Sequence, residues 1–209
     1  MSKLSEPVDS SAWLQRPNEL CSWLEYDGFI FLRGLLPRDL VLAAGHEVAS
    51  ADASASTHPS VRAIAEAAPL MDLMLSILDV PAALHDLTPH VTRPSSVPAL
   101  PHPIEQDPEA HAAAATVWSV WVPLCDTSAG LAVSAGSHKQ GLLSQSLSSG
   151  STREIDPALV PDDWYGTDYR AGDVLVLHPH AARRWYPGRE TSETPLVALT
   201  IRYVPGSVS

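Results

Sequence analysis

An α+β fold is predicted for this chain, with helices gathered in the first third and a β-sandwich or barrel of jelly-roll type behind them. Three observations predict it. Apolar residues recur at helical spacing up to Val80, β-branched and aromatic runs dominate the second half, and 19 prolines punctuate the 209 residues. Proline breaks helix interiors and suits turns, so short strands joined by proline and glycine turns fit better than a helical bundle.

The elements follow in order. Residues 1–12, beginning "MSKLSEPVDSSAW", read as a disordered polar tail. A short helix is expected around residues 18 to 26, then a glycine turn and a strand from Phe29 to Arg33. Pro37 opens a second helix, "PRDLVLAAGHEVASA", whose fixed φ suits a first turn. "HPSVRAIAEAA" and "PLMDLMLSILD" continue the helical pattern. Beyond Val80, "PSSVPALPHPIEQDPEAH" reads as a loop system and "ATVWSVWVPL" as a strand. "SAGLAVSAGSHKQGLL" holds a short strand between glycine turns, and "SQSLSSGSTREID" reads as a mobile serine-rich loop. "YRAGDVLVLHPHAARRWYPGR" is a strand entering a turn, and "PLVALTIRYVP" a closing strand. Without a repeat or a strong linker, residues 1–209 make a single domain.

Composition excludes several function classes. Thirteen basic against 24 acidic residues give a net charge of -11, which disfavours nucleic acid and anionic membranes as partners. No segment approaches the ~18 consecutive apolar residues of a membrane span, and the N-terminus lacks an apolar signal region, so a cytoplasmic protein is expected. Cys21 and Cys125, far apart and outside any CxxC pattern, read as reduced thiols. A small-molecule partner remains, and a homodimer stays open.

The densest set of chemistry-bearing residues is "LPHPIEQDPEAH", residues 100–111, with His102, Glu105, Asp107, Glu109 and His111. Imidazoles and carboxylates ligate metals, yet this stretch has no His-x-Asp or His-x-Glu pair.

"YDGFIFLRGLLPRDL", "VWSVWVPLCDTSAGLAVSAGSHKQGLL" and "YRAGDVLVLHPHAARRWYPGRETSETPLVALTIRY" together resemble the phytanoyl-CoA dioxygenase family of iron and 2-oxoglutarate oxygenases, over residues 20 to 204. The resemblance implies a double-stranded β-helix braced by N-terminal helices. It also implies a 2-His-1-carboxylate iron site. The slot of its His-x-Asp pair falls on "EQD", so Asp107 keeps the carboxylate and Glu105 stands where the first imidazole belongs. The second imidazole's position falls on Arg183, and the arginine that grips 2-oxoglutarate falls on Leu196.

A guanidinium stays protonated, offers no lone pair and repels a divalent cation. Arg183 is therefore expected to occupy the vacated metal position and to neutralise Glu105 and Asp107 by charge-assisted hydrogen bonds. A rearranged metal site using His102, His111, His178 or His180 is the competing arrangement. Otherwise His178 is a structural histidine of its turn, and His102 and His111 are exposed loop residues.

Trp118 and Trp121 are read as facing opposite sides of their strand, and by resemblance Trp121 and Ser119 face inward. Ser137, His138 and Lys139 in "AGSHK" do not suggest a hydrolase, because adjacent Ser and His rarely reach triad geometry. Trp164, Tyr165 and Tyr169 read as edge packing rather than a lid.

The expected function is a cofactor-free enzyme of specialised metabolism that performs a non-oxidative acid–base reaction, such as cyclisation, isomerisation or elimination, on a small hydrophobic intermediate. Glu105, Asp107 and Arg183 are its expected catalytic residues; Ser119, Trp121, Arg184, Trp185 and His180 are expected to bind substrate. Two alternatives are a non-catalytic pseudo-oxygenase that binds a small molecule, and an Fe(II)/2-oxoglutarate hydroxylase with displaced ligands.

Overall fold

The computed structural model describes residues 4–50, 58–92, 103–109, 117–147, 153–186 and 196–206. Helix α1 (Pro17–Asp27) starts on Pro17 and stops at Gly28, whose φ of 81° lets its N–H reach back to Leu24 O. It buries Leu20 and Leu24, one turn apart. Strand β1 (Phe29–Leu32) follows, then α2 (Arg38–Ser50), which buries Val41, Ala44, Gly45 and Val48. A side chain at Gly45 would run into Leu124 O, so α2 sits tight against the large sheet. Helices α3 (Pro59–Ala65) and α4 (Ala68–Leu78) complete the layer.

The strands are β2 (Ala82–Thr92), β3 (Trp118–Pro123), β4 (Gly130–Ser134), β5 (Gln145–Leu147), β6 (Arg153–Ile155), β7 (Trp164–Tyr165), β8 (Val174–Leu177), β9 (Arg183–Tyr186) and β10 (Leu196–Pro205). They form a five-stranded sheet in the order β1-β8-β3-β10-β2, a three-stranded sheet β7-β4-β9, and the pair β5-β6. All these pairings are antiparallel.

Period-two alternation splits the large sheet into two faces. Val120, Val122, Val174, Val176, Val197, Leu199, Ile201 and Tyr203 pack under the helices with Leu20, Val41, Ile64 and Leu70. The opposite face carries Phe29, Phe31, Trp121, Leu175, Leu177 and Ala198 against Leu131 and Val133 of the small sheet. Each fully buried aliphatic side chain of this kind stabilises the fold by roughly 1.5–3 kcal/mol.

Four expectations are corrected. The tail from Leu4 onward is ordered: Ser5 pairs with Trp164 and Gly166, and Asp9 accepts from both Ser11 N and Arg33 N. Backbone hydrogen bonds to the small sheet and a capped 3-10 turn at Ser10–Trp13 fix a segment that looked too polar to fold. Strand β2 went unseen because Asp86, Pro89 and two histidines obscure its pattern; it is an edge strand, where Pro89 interrupts fewer ladder bonds. The serine-rich segment has paired flanks, β5 and β6, with only 148–152 between them outside the described residues. Finally, "HPHAARRWY" does not stay a turn but rises into β9.

Candidate functional site

The inner face of the large sheet is divided between apolar and polar strands. One row across it runs Asp86, Arg202, Ser119, Leu177, Phe29, and the next runs Thr88, Thr200, Trp121, Leu175, Phe31. Alternation along β10 sends Ala198, Thr200 and Arg202 to this face and Leu199, Ile201 and Tyr203 to the helices. The polar half therefore gathers on β2, β10 and the near side of β3.

Residues 103–109 close over that polar half. Glu105 and Arg183 exchange backbone hydrogen bonds at 2.9 and 2.8 Å, tying the segment to β9. Gln106 points the other way and anchors the segment: its Nε2 donates to Gly141 O and His180 O, and its Oε1 accepts from Leu143 N. The extended alternation of "EQD" thus aims Glu105 and Asp107 to one side and Gln106 to the other.

Asp107 is the hub. Its side chain is only 2% exposed, and four donor groups reach it: Arg202 Nε at 3.0 Å, Arg183 Nη1 at 3.2 Å, Ser119 Oγ at 2.5 Å and the Glu109 N–H at 2.9 Å. Arg183 Nε also lies 3.3 Å from Glu105 Oε1, so this guanidinium spans both carboxylates. Arg202 in turn donates through Nη1 to Asp86 Oδ2 at 2.8 Å and to Thr88 Oγ1 at 3.1 Å.

Burial opposes the charge on Asp107, yet the Arg183 charge, the Ser119 hydroxyl and Arg202 outweigh it and hold its pKa at about 2. A carboxylate so stabilised is a poor proton acceptor near neutral pH. Asp107 therefore does not suit the acid–base role the sequence suggested for it; its geometry is that of an anchor. Glu105 differs, with its side chain 41% exposed and, among the described residues, one long side-chain contact, to Arg183. The same charges act on His90, whose Nε2 lies 2.9 Å from Thr200 Oγ1. Burial first, then Arg183 and Arg202, keep this imidazole below its usual pKa.

The remaining expected residues separate into two groups. Ser119, Trp121 and Trp185 lie on inner faces, Trp121 and Trp185 meeting edge to face with centroids 6.3 Å apart. Trp118 packs toward the helices, against the other cluster. Arg184 is corrected: it alternates away from Arg183 and Trp185 and stacks on Trp164, its guanidinium 4.0 Å from the ring. His180 is also corrected, because only its carbonyl reaches the slot segment while its ring rests on His178, centroids 5.4 Å apart. His178, His138 and Trp118 complete that separate aromatic cluster beside the α1–β1 turn. Tyr169 is buried, with its hydroxyl donating to Leu131 O at 2.6 Å, and Ser137 braces a turn, so neither supplies a lid or a nucleophile. His102 and His111 lie outside the described residues.

Arg202 is the residue that sequence reasoning missed. The position that the resemblance gives to the 2-oxoglutarate arginine is Leu196, which is buried at the front of β10. The available signal was a charged residue inside the apolar run "LVALTIRYV", at the inward phase of the alternation.

With this geometry in view, the chain is similar in structure to enzymes of natural-product assembly. SnoN, a non-heme alpha ketoglutarate dependent epimerase from nogalamycin biosynthesis, superposes in its complex with Fe3+, alpha ketoglutarate and nogalamycin RO. The TM-score is 0.71 at 17% identity, over 91% of this chain and 84% of that one. The carbocyclase SnoK of the same biosynthesis gives 0.71 at 17% identity, covering 96% and 88%. EctD from S. alaskensis, with 2-oxoglutarate and 5-hydroxyectoine, gives 0.67 at 15%, covering 97% and 83%. No family model and no curated sequence relative matches. The chain has the double-stranded β-helix fold. Its helical layer makes it an α+β variant, as the sequence implied.

These neighbours overturn the expectation of a cofactor-free protein, because the fold is one on which SnoN holds Fe3+ and alpha ketoglutarate and EctD holds 2-oxoglutarate. The residues of the slot nevertheless do not match a metal held between Glu105, Asp107 and residue 183. Asp107 already accepts from four donor groups, and the third corner is a guanidinium. Among the described residues no group of three His, Cys, Asp or Glu side chains is placed to hold a metal ion.

Proposed function

We propose that this chain is an enzyme of natural-product metabolism that takes a small, largely apolar intermediate between its two sheets and moves a proton on it. The observation that carries the proposal is the inequality of the two slot carboxylates. Asp107 is fixed by Arg183 and Arg202, whereas Glu105 is half-open and loosely paired. Glu105 is then the proton-carrying group, and Arg183, spanning both carboxylates, stabilises negative charge that develops beside it. Epimerisation or ring closure fits such a pair; SnoN and SnoK reach an epimerised and a cyclised product as alpha ketoglutarate dependent enzymes, which supports the kind of product and not the proton-transfer route.

Glu105→Gln with the native intermediate tests it. Loss of turnover by two or more orders of magnitude with the fold intact is expected; full turnover would refute the role.

A second reading is favoured by what the neighbours bind: an Fe(II)/2-oxoglutarate hydroxylase with displaced ligands. It requires at least one ligand from outside the described residues, His102 and His111 being the imidazoles flanking the slot in sequence. Anaerobic titration with Fe(II) and 2-oxoglutarate tests it: stoichiometric metal binding lost in His102→Ala or His111→Ala supports the second reading, and absence of binding refutes it.

A further inference from the structure

Trp121 is 1% exposed, and its indole N–H is a buried donor without a hydrogen-bond partner among the described residues. Leaving such a donor unmade costs roughly 1–3 kcal/mol, so its position asks for an acceptor. The neighbouring polar groups are directed elsewhere. The Tyr169 hydroxyl, whose ring meets Trp121 edge-on at 4.7 Å, donates to Leu131 O, and the Oγ1 of Thr200, the cross-strand partner of Trp121, engages His90. His138 Nδ1 is the other unpartnered buried atom, but its ring contacts Glu25 O through Nε2 and lies in the separate histidine cluster.

We propose that the Trp121 N–H is the donor of a ligand subsite on the inner face, and that the ligand is an uncharged, largely apolar molecule presenting a carbonyl oxygen to it. The carbonyl supplies the missing acceptor. The rings around the indole are those of Tyr169, Trp185 and His90, the last two meeting edge to face at 6.0 Å, so an apolar ligand body is favoured. Lack of charge follows from the ion pairs: Arg183 and Arg202, the cations of this face among the described residues, are already matched by Asp107, Asp86 and Glu105. The indole nitrogen is sealed from water, and the half-buried ring beside it is Trp185 on the edge strand β9. The subsite rests on the reading above that substrate sits between the sheets, and it gives that substrate a chemical class.

The test follows the indole N–H signals of the 15N-labelled full chain, which has six tryptophans. Chromone, chroman, which keeps the bicycle without the carbonyl, and 2-oxoglutarate are titrated in turn. Chromone is expected to move the Trp121 signal downfield while chroman does not, and Trp121→Phe is expected to bind chromone about tenfold more weakly. An unmoved signal, an equal shift with chroman, equal affinity in Trp121→Phe, or a preference for 2-oxoglutarate overturns the proposal. The wild-type comparison stands even where Trp121→Phe misfolds. Chromone binding does not depend on Glu105, so this subsite and the catalytic role of Glu105 fail separately.

Discussion

Arg202 on the closing strand and Asp107 on the segment that covers it are 95 residues apart in sequence, and meet with Nε 3.0 Å from Oδ1 and 3.2 Å from Oδ2. The same guanidinium continues to Asp86 on the edge strand, so one side chain links three parts of the polar inner face. Arg202→Met removes a cation from a buried carboxylate and is expected to destabilise the protein by about 3 kcal/mol. Urea unfolding measures the shift in midpoint; an unchanged midpoint would show that Arg183 alone suffices to hold Asp107.

Asp107 also makes stability depend on acid. Its folded-state pKa of about 2 lies below the ordinary aspartate value of 3.8, so below pH 4 the unfolded chain takes up the proton first. The stabilisation is complete above about pH 4 and is lost as pH falls through 2, amounting to about 2 kcal/mol. Unfolding of the wild type and of Asp107→Asn from pH 6 down to pH 2 checks this, and the variant should lack that share of the decline.

A second, milder pH range belongs to His178. Burial, followed by the charges of His138 and His180, lowers its pKa to about 4 from 6.5. The neutral folded form is favoured above about pH 6.5, and stability falls as pH drops from there toward 4. His138, also lowered by burial, adds to the same trend, while Asp27 near it and Lys139 beside it act in opposite senses. NMR titration of the imidazoles should find His178 neutral at pH 5.5, and His178→Asn should flatten the stability profile between pH 6.5 and 4.5.

Gly130 probes the packing between the sheets. A Cβ at this position would come 2.8 Å from the Tyr169 ring and 3.1 Å from Trp121. Gly130→Ala is expected to cost about 1–3 kcal/mol by overpacking. It should also perturb the Trp121 indole signal, whereas a substitution at the open Gly34 should leave that signal in place.

Much of this molecule was legible in its residues, because the signals concerned are local. Helical spacing pointed to α1 to α4, and β-branched runs to β3, β8 and β10. The resemblance carried by "VWSVWVPL" and "GDVLVLHPH" led to the double-stranded β-helix, and to residues 105, 107 and 183 as one slot. Once the resemblance had put Arg183 in that slot, its pairing with Glu105 and Asp107 followed from charge, since two clustered carboxylates need a cation when one is buried.

What the sequence determined by itself was therefore the fold class, the order of most elements and the residues of the slot. Tertiary structure decided which of them share a surface. Arg184 turns away from the slot because alternation on a four-residue strand fixes its phase, and β9 is held in register by pairing with β4 and by the backbone bridge of Arg183 to Glu105. Arg202 enters because the register of β10 between β3 and β2 sets it opposite Ser119 and Asp86, a relation no window of sequence contains. The feature that opened the chain to metal chemistry on paper, "EQD", became an anchored Asp107 and a half-open Glu105 only through side chains brought from three distant strands. Ionisation and burial are set by such neighbours in space, and these depend on strand register rather than on composition.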